Sequence, residues 1–226
     1  MFQNLIDIIA APSAAFARLK ERPTILFPLL LVLITSASVQ VGYVLLTDRG
    51  FMADQQIEQV EAMFPNVTDA QLEEMRENVV NTSTTTLIVS AMVNVALVLL
   101  VILALYALYL KFASKFSFAD FGWKAWMSMV CWTSVPLVFG ALASWIVLLT
   151  NPNGQVPILD LNSLNFANLL GLDVDGGPLV YLSPLYLWSF ALLALGYQNW
   201  TGKSLLTSTL IALGPYILIF GLWGLL

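Results

Sequence analysis

Five long apolar stretches, at residues 25–46, 86–109, 126–149, 179–197 and 205–226, leave this chain few folds to choose from. The hydrocarbon core of a bilayer is roughly 30 Å thick and a helix rises about 1.5 Å per residue, so about 20 apolar residues make one crossing. All five meet that length; the fourth is the shortest and is interrupted near its start by Ser183-Pro184. A chain of 226 residues with 59% hydrophobic and 10% charged residues, and a mean hydropathy of +0.83, has too little polar surface to keep five such helices in water. The expected fold is an all-α membrane protein of one domain, 1–226: a bundle of five transmembrane helices with an interfacial amphipathic helix at the N-terminus and an extracytoplasmic helical hairpin.

Orientation follows from the cations. Of the nine Lys and Arg residues, seven (Arg18, Lys20, Arg22, Lys111, Lys115, Lys124 and Lys203) fall on one side of a five-crossing arrangement, and two (Arg49 and Arg76) on the other. The positive-inside rule then predicts a cytoplasmic N-terminus and an extracytoplasmic Leu226. The stretch from Lys111 to Pro136, a short basic connection that opens the third run, anchors this reading. Tyr106, Tyr109, Trp123, Trp126, Tyr197 and Trp200 are placed near the inner interface, and Tyr43, Trp145 and Trp223 toward the outer one, as aromatic belts.

Segment 1–22 reads as an interfacial helix, with Phe2, Leu5, Ile6 and Ile9 on one face. Pro12 then starts a second short helix carrying Phe16 and Leu19. The cations follow the apolar stretch instead of preceding it, which disfavours a signal peptide. Loop 47–85 holds eight acids against Arg49 and Arg76. Its second half has Thr68 and Gln71 at capping-box spacing, Val67 and Leu72 as the hydrophobic staple, and a Leu72, Met75, Val79 stripe. A preceding helix over about 54–63, carrying Ile57, Val60 and Met63, completes a hairpin whose acids chiefly solvate its surface. Loop 150–178 is rich in Leu and is expected to pack back on the bundle. Asp173-Val-Asp175-Gly-Gly begins like a calcium loop, but Pro184 stands where the bidentate Glu belongs, so it reads as a turn.

Residues for chemistry are scarce. The chain has no histidine and a single cysteine, Cys131, within the third run, and all five runs lack Asp, Glu, Lys and Arg. That pattern argues against ion-coupled transport, against nucleophilic or acid–base catalysis, and against a metal site or other cofactor. Neither is there a basic footprint for nucleic acid. The runs do hold small polar residues suited to helix packing: Ser38 with Gly42, and Gly140 with Ser144, at small-xxx-small spacing. Gln40 and Asn94, at matched depth on the first and second runs, are expected to hydrogen-bond across the two helices. Pro136 and Pro215 are expected to kink their helices, free the carbonyls of Trp132 and Ile211, and mark where a cavity would form.

Read together, Pro12-x-x-x-Phe16, Lys115-Phe-Ser-Phe118 leading to Pro136, and Leu187-Trp188 with Gly196 ahead of Thr201-Gly202-Lys203 resemble the Yip family of five-span membrane proteins, in its compact bacterial type. The resemblance implies a bacterial plasma-membrane location, a cytosolic N-terminus and an external C-terminus. In eukaryotic members it implies vesicle traffic and partner binding, often through oligomers. The function expected is therefore non-enzymatic: an interaction, scaffolding or membrane-organising protein whose partners are the lipid bilayer and other proteins or further copies of itself. The alternative is a carrier of lipid or another small amphiphile, through a cleft beside the kinked helices.

Overall fold

The computed structural model describes residues 2–64, 66–117, 119–151, 155–172 and 177–223. Among them there is no strand. The centre is α7, Trp123–Thr133, in which every residue from Ala125 to Thr133 is buried. A helix covered on all sides belongs at the middle of a bundle. Around it pack α3 (Leu26–Leu46), α6 (Thr84–Lys115), α11 (Pro184–Thr201) and the short α2 (Pro12–Glu21). The last helix, α12 (Leu205–Trp223), lies against α11. The third apolar run is not one helix. Within it α7 stops at Thr133, residues 134–136 form a turn, and α8 (Leu137–Thr150) resumes against α3.

Four helical stretches among the described residues are long and apolar enough to cross a membrane: Leu26–Leu46, Thr84–Lys115, Trp123–Thr150 and Leu205–Leu222. The fourth run departs from the expectation. Only its C-terminal part is a long helix, α11, preceded by the separate turn of helix α10 (Pro178–Tyr181). Gln198, Asn199 and Ser189 dilute its hydropathy, and much of its apolar surface (Phe190, Leu192, Leu193, Tyr197, Trp200) is buried in protein.

At the N-terminus, α1 (Phe2–Ala10) folds back on α2, held by Arg18 donating to Asp7 and to Asn4 Oδ1 at 2.8 Å. Ile8, Phe16 and Leu19 are buried in the main core, whereas Phe2, Ile6 and Ile9 are exposed. Between α3 and α6 the chain forms a helix pair, α4 (Arg49–Met63) and α5 (Asp69–Asn81), which pack together and share an Arg76–Asp54 ion pair at 2.9 Å. Both bonds of the Thr68–Gln71 capping box are made. Helix α4 begins five residues before the expected Asp54, because Asp48 caps it by accepting from Phe51 N–H at 3.0 Å. Loop residues Val156 and Leu161 pack with Val39, Tyr43 and Leu148 in a second, smaller core, and α9 (Phe166–Leu169) is capped by Asn165. Phe118, the Asp173–Asp175 turn, Leu226 and the side chains of Met63 and Trp223 lie outside the described residues.

The aromatic belts also need correction. Tyr106, Trp126, Tyr197 and Trp200 are buried in the core; of the inner set only Trp123 is clearly exposed. Trp126 stacks on Tyr197 at 5.5 Å and meets Trp200 at 5.3 Å. These rings are spent on one another and on helix α2, where their area and quadrupoles stabilise more than a headgroup contact would.

Candidate functional site

Two places in the bundle gather side chains that packing alone does not explain: a seat for α2 at the lysine-bearing end, and a cavity among α6, α7, α11 and α12. The seat is made by Gly196. A Cβ there would come within 2.9 Å of the Phe16 ring and 3.0 Å of Met129 Sδ, so only glycine lets α2 press its ring between α11 and α7. Trp200 then donates its indole N–H to the Phe16 carbonyl at 2.9 Å. Lys20 donates to the Trp200 carbonyl at 3.3 Å and sits 5.4 Å above the Phe121 ring. Just after α2, Thr24 is fixed to α7 by Ser128 and by the Trp132 indole at 2.9–3.0 Å. Trp126 Nε1 is buried with no hydrogen-bond partner among the described residues.

The expected motif residues are thus partly brought together. Phe16 and Gly196 touch, and Pro12 opens α2 at its first position. Gly202 caps α11 in the left-handed conformation, φ 70°, which glycine adopts without steric cost. Trp188 lies away from the seat, stacked on Phe139 at 5.8 Å, and Lys115 is exposed over Phe112.

Gln40 and Asn94 are not joined by a hydrogen bond. Helices α3 and α6 do pack, but Asn94 is on the exposed face of α6 while Gln40 is half-buried. The polar contact α3 does make is with α8: Trp145 donates to Ser38 Oγ at 3.0 Å, and its ring fills the place where Gly42 lacks a side chain.

The cavity has a volume of about 280 Å³, at the small end of ligand pockets, which run from roughly 300 Å³ upward. Its walls include Leu99, Leu103, Leu137, Phe190 and Leu193, and none of its lining residues is charged. It lies beside both prolines: Ser134 and Leu137 flank Pro136 where α7 and α8 part, and Tyr216 follows Pro215 inside the uninterrupted α12. Thr133 and Ser134 spend their hydroxyls on the Val130 carbonyl at 3.1 and 2.8 Å, and Tyr106 spends its own on the Ala212 carbonyl. Ser189 Oγ is buried without a hydrogen-bond partner among the described residues. Sequence reasoning passed over Ser189 and Tyr186, although Tyr186, Ser189, Phe190 and Leu193 recur at i, i+3, i+4, i+7 and so mark one face of α11. Among the described residues no group of three His, Cys, Asp or Glu side chains could hold a metal.

A family model described as the Yip1 domain matches residues 6–226. No curated protein and no solved structure matches the chain.

Proposed function

Since the chain belongs to the Yip1-domain family, a family not known for enzymes, we propose that this integral membrane protein works by association: a five-span scaffold that assembles with further copies of itself in the bilayer. The observation that carries the proposal is Asn94. Its carboxamide is exposed on α6, a helix of which only 6% of the apolar window is buried, and it has no hydrogen bond among the described residues. It stands roughly 5 Å from the midpoint of the apolar run, where lipid offers no acceptor. Ser90, Asn94, Leu97 and Val101 share one exposed face at i, i+4, i+7, i+11. A second copy presenting the same face would pair amide with amide, the usual use of a polar residue in a span.

The fifth crossing in this proposal is α11, and the lysine-bearing end lies in the cytoplasm of a bacterial plasma membrane, as seven cations against two and the compact-type resemblance imply. The exposed Phe2, Ile6 and Ile9 would then rest in the inner interface. Cysteine cross-linking in native membranes tests the association, with buried Cys131 as a silent background. Oxidation of Leu97→Cys is expected to give a dimer band, reduced about threefold or more by Asn94→Leu, since an interhelical polar pair is worth roughly 0.6–2 kcal/mol. Absence of dimer from cysteines at 90, 97 and 101 alike would sink the proposal.

A further inference from the structure

Many serines and threonines of this bundle satisfy their hydroxyls on a helix carbonyl. Thr35 bonds to Leu31 O at 2.8 Å, Ser134 to Val130 O at 2.8 Å and Ser208 to Ser204 O at 2.9 Å. In a span such back-bonding is the cheap solution, because no water is at hand. Ser189 is a buried serine that makes no such bond. It is 8% exposed, it lines the cavity, and its Oγ has no hydrogen-bond partner among the described residues. A buried hydroxyl left unpaired in apolar surroundings is costly, so its retention points to a partner that the polypeptide does not supply.

The walls say what that partner is. They are apolar and aromatic and without charge, which excludes an ionised headgroup inside the cavity, where an unpaired charge would be desolvated at high cost. Two tyrosines line the same cavity as Ser189. Tyr186 and Tyr216 both line the cavity and lie against the Phe190 ring, at 6.4 and 4.2 Å, and neither makes a hydrogen bond among the described residues. Three hydroxyl-bearing side chains lining an otherwise apolar space of about 280 Å³ suit a ligand with an apolar tail ending in a carbonyl. The break between α7 and α8 contributes, because Ser134 and Leu137 on its two sides both face this space.

We propose that the cavity bounded by α6, α7, α11 and α12 binds one uncharged lipid, whose carbonyl oxygen accepts from Ser189 Oγ while its tail lies along Leu103, Leu193 and Phe220. The binding is independent of self-association through α6, which uses another face. An acyl ester and an isoprenoid quinone share this chemistry and are separated by the test.

The full chain in nanodiscs is exposed to two photoactivatable probes, a diacylglycerol with a diazirine in one acyl chain and a quinone with a diazirine in its isoprenoid tail. One of the two is expected to label saturably, with adducts on α11 and α12 peptides containing Phe190, Leu193 or Tyr216, and to be displaced by its unlabelled parent. Ser189→Ala is expected to weaken that labelling about two- to tenfold, the worth of one neutral hydrogen bond, with no loss of thermal stability because it removes an unpaired group. Leu193→Trp, which fills the space, is expected to abolish it; should that variant not fold, Ser189→Ala stands alone. Equal labelling of wild type and Ser189→Ala, or unsaturable labelling confined to lipid-facing residues such as Leu97 and Leu218, would overturn the proposal.

Discussion

Pro136 and Pro215 each delete one helix hydrogen bond, and neither freed carbonyl is left empty. Trp132 O takes the Val135 N–H at 3.3 Å, and Ile211 O takes the Tyr109 hydroxyl at 2.9 Å, with Tyr106 bonding the neighbouring Ala212 carbonyl. Tyr109→Phe should therefore cost about 1 kcal/mol of stability in detergent unfolding. In a Pro215→Ala background the restored N–H can fill the Ile211 carbonyl, and the same change should cost close to nothing. Equal penalties in both backgrounds would mean that this bond is not what Tyr109 contributes. The prolines and the carbonyls they release were readable from the sequence, since proline chemistry is local. The tyrosines were not. A Tyr near the end of an apolar run satisfies its hydroxyl equally well at headgroups or on a carbonyl, and nothing local reveals that the acceptor lies 102 positions away.

At the scale of elements, close approach is set by glycines that receive rings. Gly42 accommodates Trp145, so that α3 and α8 meet, and Gly196 accommodates Phe16, so that α2 meets α11 and α7. A methyl at Gly196 would push against an aromatic ring wedged between two helices. Gly196→Ala should lose about 1–3 kcal/mol by overpacking and should raise tryptic cleavage after Arg18 and Lys20 as α2 lifts away. Gly221→Ala, where a Cβ meets nothing within 4 Å, is the matched control and should change neither. The capping box of α5 and the Pro12 start of α2 could be read from the sequence because each is a short-range device. Partner choice could not: hydropathy suggests one depth for Asn94 and Gln40, but the rotation of α6 about its axis depends on what its neighbours bury, and Asn94 is exposed.

Considered as a whole, the molecule has a covered centre and a bare perimeter. Helix α7 is enclosed, whereas α6 and α12 present Leu97, Leu105, Leu206 and Leu218 outward, a distribution that suits lipid as the surrounding solvent. Thirty-two residues make α6 about 48 Å long, more than the hydrocarbon is thick, so it tilts or projects past the headgroups. The odd number of crossings in our proposal makes a direct prediction: tags at the two termini should be reachable from opposite faces of sealed vesicles. If both were protected or both reachable, α11 would not span, and the scaffold topology would be wrong. Four of the crossings were legible because hydropathy integrates over 20 residues; α11 was the weak case because burial against protein relaxes the need for apolar side chains. The seat of α2 carries a consequence for biosynthesis. Trp200 and Phe16 are separated by 184 positions, so at a translation rate of about 5–20 residues per second the earliest-made helix pair waits roughly 10–40 s before its anchor leaves the ribosome, a window in which the nascent amino terminus is open to chaperones and proteases.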